Sequence, residues 1–122
     1  MLLIKTTLKE SPINGIGIYA SEYIPKGTII WRFSYLIDSY IREADIEDMT
    51  ELEKEFILKY AYKEKGVHVL CVDNARFMNH SDDANTYETK SETIAKTDIE
   101  IGEEITCNYN EFCENGLGFI SD

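Results

Sequence analysis

Clusters of turn formers punctuate this chain at short intervals, and the runs between them are rich in β-branched and aromatic residues. Ser11-Pro12-Ile13-Asn14-Gly15, Ile24-Pro25-Lys26-Gly27, Lys90-Ser91-Glu92 and Ile101-Gly102-Glu103 read as turns. The intervening runs read as strands: Leu2 to Leu8, a second from Gly17, Thr28 to Phe33, Val67 to Val72, and a hairpin of Thr86 to Thr89 with Thr93 to Thr97. A further apolar stretch continues from Tyr35 to Ile41, and in Glu104 to Tyr109 the residues Ile105, Cys107 and Tyr109 alternate with more polar ones. Acidic residues accumulate from Arg42-Glu43-Ala44-Asp45 onward, and the period lengthens. Thr50 and Glu53 form a capping-box pattern that predicts one main helix over about 50–63, with Leu52, Phe56, Ile57, Tyr60 and Ala61 on one face and Gly66 ending it. Strand and helix do not alternate as a doubly wound parallel sheet requires, so the fold class is β-dominated α+β.

The 122 residues suit a single domain, 1–122, able to bury roughly two-thirds of its unfolded surface. Twelve Lys and Arg against 23 Asp and Glu give a net charge of −11. Such a surface lacks the basic face that phosphate binding needs, which argues against direct nucleic-acid contact and favours a basic protein or peptide partner. Cys71, Cys107 and Cys113 leave one thiol unpaired and fit neither a disulfide framework nor a zinc spacing, which implies a reducing, intracellular setting in cytoplasm or nucleus. No signal-peptide layout and no apolar run of membrane-spanning length is present, so a soluble protein without membrane contact is expected.

Arg76-Phe77-Met78-Asn79-His80-Ser81-Asp82-Asp83-Ala84-Asn85 sets two large apolar residues before a compact group of short polar side chains, the make-up of an anchored, irregular binding loop. Gly15-Ile16-Gly17 allows close approach of another group to bare backbone, although an ordinary hairpin turn has the same composition. Nucleophilic hydrolysis has only His68 and His80 to draw on and no elbow motif around Ser81. His80, Asp82 and Asp83 match no metal-ligand spacing, so no metal is expected, and no Walker-type phosphate loop occurs.

Three stretches, in their order and separation, resemble the SET-domain protein-lysine methyltransferases. Ser11 to Ala20 (S-P-I-N-G-I-G-I-Y-A) is similar to that family's first cofactor loop, and Ile24 to Ile30 to the turn and strand after it. Arg76 to Asn85 is similar to the R-F-x-N-H-S-C-x-P-N signature, and Gly102 to Tyr109 (G-E-E-I-T-C-N-Y) to G-E-E-L-T-x-D-Y. The resemblance implies a SET fold of small curved β-sheets in which the C-terminal segment forms a pseudoknot beneath the loop carrying Asn79-His80-Ser81. It covers core motifs over 11–109, with a short tail, 110–122. It also implies S-adenosylmethionine as cofactor, held by backbone near Ile16, Gly17 and Ile18 and by groups of Asn79 and His80, the latter mainly through its main chain. Tyr109 is the implied catalytic residue. Tyr60, Tyr62 and Phe112 are candidates for a lysine channel, though Tyr60 and Tyr62 also read as core or boundary aromatics.

The implied activity is transfer of a methyl group from S-adenosylmethionine to a lysine amine of a basic protein segment, a histone tail among the candidates. Departures from the pattern are Asp82 and Ala84 at the usual Cys and Pro positions and Asn108 at the usual Asp. They keep open an alternative, a catalytically silent module that holds lysine-bearing peptides. The cysteine cluster that binds zinc after the domain in many members is missing, which predicts a minimal, free-standing member whose channel is completed by Phe112, the tail or a second subunit in a homodimer.

Overall fold

The computed structural model of the protein describes residues 1–34, 37–64, 66–89 and 92–111. Its first hairpin pairs β1 (Thr6–Glu10) with β2 (Ile16–Ala20), antiparallel from Thr6↔Ala20 to Glu10↔Ile16, and Gly15 takes the positive φ of 46° that the turn requires. The strand expected from Leu2 starts only at Thr6. Before it the main chain is tied to side chains: the Met1 ammonium lies 2.9 Å from the enclosed Asp38 carboxylate, and Leu2 N–H donates to Asp73 Oδ2 at 2.8 Å.

A second sheet orders β3 (Ile29–Arg32), β9 (Glu92–Ala95) and β8 (Thr86–Glu88), which includes the expected hairpin. A third orders β4 (Ser39–Arg42), β6 (Val67–Leu70) and β5 (Ala61–Glu64). Between β4 and β5 lie a single helical turn, α1 (Glu43–Ile46), and the main helix α2 (Glu51–Tyr60). The helix therefore stops at Tyr60, short of the expected 63. Ala61 to Glu64 instead pair with Leu70 to Val67, which buries Ala61, and Gly66 at φ 82° lies in the connection of that hairpin rather than capping the helix. Pairing with β6 overrides the helical periodicity that continued into Ala61.

The start of α2 follows the sequence. Glu53 N–H donates to Thr50 Oγ1 at 3.2 Å and Thr50 N–H to Glu53 Oε1 at 2.8 Å. Thr50→Ala removes one half of this box and is expected to cost about 1 kcal/mol, read as a lower urea midpoint with an unchanged slope. The expected apolar face of α2 is buried only in part: Ile57 is enclosed, whereas Leu52 and Phe56 are exposed.

The last strand, β10 (Glu104–Cys107), joins distant parts of the chain. It pairs antiparallel with β2 and parallel with β7 (Asn79–His80), giving a four-stranded sheet in the order β1-β2-β10-β7. This insertion sets β10 beside the Asn79–His80 stretch, the neighbourhood that the resemblance implies for the C-terminal part of the chain. Ile18, Ile24, Ile30, Ile99 and Ile105 are enclosed completely beneath it, so hydrophobic burial fixes the position of β10. Among the described residues, no helix is long and apolar enough to cross a membrane.

Candidate functional site

The polar stretch from Arg76 is more regular than its composition suggests. Asp73 caps a 3-10 turn over Asn74–Phe77, after which Met78 is buried, Phe77 packs on the core and Asn79–His80 becomes β7. The short polar residues then lace the chain to β10. Ser81 N–H donates to the Cys107 carbonyl at 3.0 Å, and Asn85 Nδ2 to the Glu104 carbonyl at 2.8 Å. Thr106 N–H returns a bond to Asn85 Oδ1 at 2.9 Å. The Asn85 amide thus supplies the donor and acceptor that a strand neighbour would have supplied.

β10 changes partners beside the first loop. It pairs with β2 only at Glu104↔Tyr19 and Ile105↔Ile18, then with β7 at Thr106↔Asn79 and Cys107↔His80. Ile16 and Gly17 consequently face Asn79 across the divergence. Asn79 Nδ2 bridges it, lying 3.1 Å from the Asn14 carbonyl, 3.4 Å from that of Ile16 and 3.0 Å from Glu104 Oε2. Gly17 is buried, Ile18 is wholly buried and paired with Leu8 on one side and Ile105 on the other, and Ile16 is half exposed, so Ile16 is the accessible part of this edge.

Sequence reasoning missed Glu104, around which this junction is built. Its carboxylate accepts from Ser11 Oγ at 2.8 and 2.9 Å and from Asn79 Nδ2, and the Tyr19 hydroxyl, which donates its proton to the Glu10 carbonyl at 2.8 Å, lies 3.5 Å from it. Burial, and then the Glu104 charge, raise the Tyr19 phenol above its ordinary value. The available signal was a carboxylate at the head of an otherwise buried strand. Gly17 matters for the same reason: a Cβ there would collide with the Glu104 carboxylate and come to 3.0 Å from Asn79 Nδ2. That carboxylate is held by Ser11 and Asn79 and cannot simply swing away.

Met78 also lines a pocket whose wall includes Trp31, Tyr60, Tyr62, Cys107 and Tyr109 together with the charged Arg76 and Glu88. The structure therefore brings together three of the four aromatic residues expected at a lysine channel and at its catalytic centre; Phe112 lies outside the described residues. Tyr109 is buried, donates its hydroxyl proton to the Met78 carbonyl at 2.9 Å, and stands in a 3-10 turn over Tyr109–Glu111. Two buried donors of this wall, Trp31 Nε1 and Arg76 Nε, have no hydrogen-bond partner among the described residues. The Cys71 thiol, also on the wall, is pushed upward by burial and is inert as a nucleophile.

His80 stands beside Tyr109 of the pocket wall. Tyr109 N–H donates to His80 Nδ1 at 3.0 Å, and His80 Nε2 lies 2.9 Å from Asp82 Oδ1. A backbone amide only donates, so Nδ1 carries the lone pair and the proton of the neutral ring sits on Nε2, facing Asp82. Nitrogen NMR of the imidazole is expected to show this tautomer in the native protein and also in Asp82→Ala, because the Tyr109 bond alone requires it. The opposite tautomer would remove His80 from the support of Tyr109.

The departures at Asp82, Ala84 and Asn108 acquire local explanations. Asp82 accepts from His80, Ala84 is buried where a small side chain suffices, and Asn108 Oδ1 caps the last 3-10 turn by accepting Asn110 N–H at 2.9 Å. Asn caps as well as Asp. None of the three belongs to the pocket wall.

The family model of the SET domain matches residues 15–110. Among solved structures, a Plasmodium falciparum protein whose name assigns it as a histone methyltransferase is similar at 22% identity and TM-score 0.62, over 87% of this chain and 93% of that one. The apo Polycomb Repressive Complex 2 of Chaetomium thermophilum contains a similar chain at 20% identity and TM-score 0.71, over 91% of this chain but 16% of that one. The same complex in an autoinhibited conformation bound to S-adenosylmethionine matches at 22% identity and TM-score 0.67, again over 16% of its chain. No curated protein sequence matches the chain.

Proposed function

Since this chain belongs to the SET-domain family, and the matched residues include Ile16, Gly17, Ile18, Tyr60, Tyr62, Asn79, His80 and Tyr109, we propose that it is an S-adenosylmethionine-dependent protein-lysine N-methyltransferase acting on a basic protein segment, a histone tail being one candidate. The observation that carries this reading is the convergence of two parts of the site on Met78-Asn79-His80. Asn79 ties this stretch to the Ile16 main chain, and Tyr109, in the wall of the aromatic pocket, is bonded to the Met78 carbonyl and to His80.

The junction at Ile16 and Asn79 suits the cofactor's chemistry. It offers accessible main chain at Ile16, the neutral Asn79 amide and the Glu104 carboxylate, and a carboxylate favours a cationic ligand. When bound, S-adenosylmethionine supplies a methyl group on a sulfonium. Main chain at Ile16 and His80 would hold it, with Gly17 and Ile18 setting the strand edge behind and Asn79 fixing the spacing of the two segments.

The pocket's residues act on the amine. A lysine leaves water with a reference pKa of about 10.4, and aromatic walls at Tyr60 and Tyr62 disfavour its charged form while tolerating a methylated cation by cation–π contact. The Tyr109 proton is committed to the Met78 carbonyl, so its oxygen acts towards the pocket as an acceptor for an amine N–H. That bond aims the nitrogen lone pair for in-line displacement. Transfer from sulfonium to neutral amine leaves a protonated methylamine and a neutral thioether.

Mass spectrometry of basic proteins incubated with the protein and S-adenosylmethionine tests the reading. Methyl additions confined to lysines are expected. Peptide binding without cofactor binding or transfer would favour the silent module instead.

A further inference from the structure

The expected core face of α2 is only partly in the core. Leu52 is 76% exposed and Phe56 43%, and together with Met49, Ile57 and Leu70 they line a groove open to solvent. An apolar strip left in water at the surface of a charged domain marks a contact site. Two observations identify its occupant. Residues 43–60 carry seven carboxylates and two ammonium groups, and Glu53 itself lines the groove. A second copy would bring like charges together, whereas a basic segment with an apolar side chain complements both the strip and its rim. The groove also adjoins the aromatic pocket: the Phe56 and Tyr60 rings are 5.0 Å apart and Tyr60 belongs to the pocket wall, with Lys59 and Arg76 over its ring at 5.5 and 5.8 Å.

We infer that the α2 groove reads the substrate, binding a bulky aliphatic residue that accompanies the target lysine in a basic segment. Leu52 and Tyr60 are separated by about 12 Å along the helix at 1.5 Å per residue. An extended peptide spans that in three to four residues at about 3.4 Å each. The substrate class is thus a basic peptide with an aliphatic anchor three or four residues from its lysine. This rests on the lysine-methyltransferase reading for the place of the lysine.

The test uses the full chain and two sets of arginine-flanked, single-lysine peptides, with leucine or serine placed three or four residues to either side of the lysine. Binding is measured by fluorescence anisotropy without cofactor, and KM and kcat with S-adenosylmethionine. In at least one placement the leucine peptide is expected to bind about tenfold more tightly than its serine counterpart and to have a correspondingly lower KM, at equal kcat. Leu52→Ser, at a position already exposed, is expected to erase that advantage without altering the serine peptide's kinetics or the thermal midpoint. Equal binding of leucine and serine peptides at every placement, or equal weakening of both by Leu52→Ser, would overturn the inference. So would a dimer in sedimentation that Leu52→Ser dissolves. Leucine preference that depends on Leu52 but comes without methyl transfer would retain the docking site and reject the catalytic reading. Transfer without preference would do the reverse.

Discussion

Tyr109→Phe is expected to lower kcat for methyl transfer by about 10²- to 10³-fold while leaving the affinity for S-adenosylmethionine within about twofold. The hydroxyl is the only atom removed, and its bond to the Met78 carbonyl at 2.9 Å fixes where its lone pairs lie. Loss of one pre-oriented polar group at a reacting centre has an effect of this size. The ring remains in the pocket wall beside His80, with centroids 5.1 Å apart, so the first loop at Ile16–Gly17 should be undisturbed. The buried Met78 carbonyl loses its hydroxyl donor, which costs about 1–3 kcal/mol of stability. Steady-state kinetics, calorimetric titration of the cofactor and an unfolding curve separate these effects. Unchanged kcat in a folded variant would remove Tyr109 from the mechanism.

The second large effect is expected at Asn79. Its amide bridges the first loop and β10 through the Asn14 and Ile16 carbonyls and Glu104 Oε2, from a residue only 6% exposed. Asn79→Ala leaves those acceptors without this donor and is expected to cost about 2–3 kcal/mol in stability and at least tenfold in cofactor affinity. Asn79→Asp should be worse despite its matching shape. It cannot donate, and it sets a second carboxylate beside Glu104, which lies 3.0 Å from the native amide nitrogen. Cofactor titration on variants that remain folded checks the order native, Ala, Asp. A folded Asp variant with native affinity would show that the bridge does not shape the cofactor site.

The parts of this fold legible in the sequence were those encoded locally. Turn chemistry at Gly15 and the Thr50–Glu53 box depend on a few adjacent residues, and both formed as their composition indicates. Periodicity misled where long-range pairing competed with it. Ala61 continues the helical pattern of α2, yet the ladder to Leu70 turns it into a strand, and Gly66 then serves a hairpin. Leu52 and Phe56 have core spacing, but spacing alone cannot say whether another element covers the face. Candidate site residues could be named from motifs, and the structure places Tyr60, Tyr62 and Tyr109 on one pocket wall. The role of Glu104 was not legible because it depends on Ser11 and Asn79, distant in sequence and joined only when β10 enters the sheet.

The most direct test of the central claim is the structure of the protein with S-adenosylhomocysteine and a lysine peptide. The ligand's adenosyl group is expected against Ile16, Gly17 and His80, its sulfur directed towards the pocket. The peptide amine should lie between the Tyr60 and Tyr62 rings, within about 3 Å of the Tyr109 oxygen. A cofactor bound elsewhere, or a lysine that does not enter the Tyr109 pocket, would contradict the account.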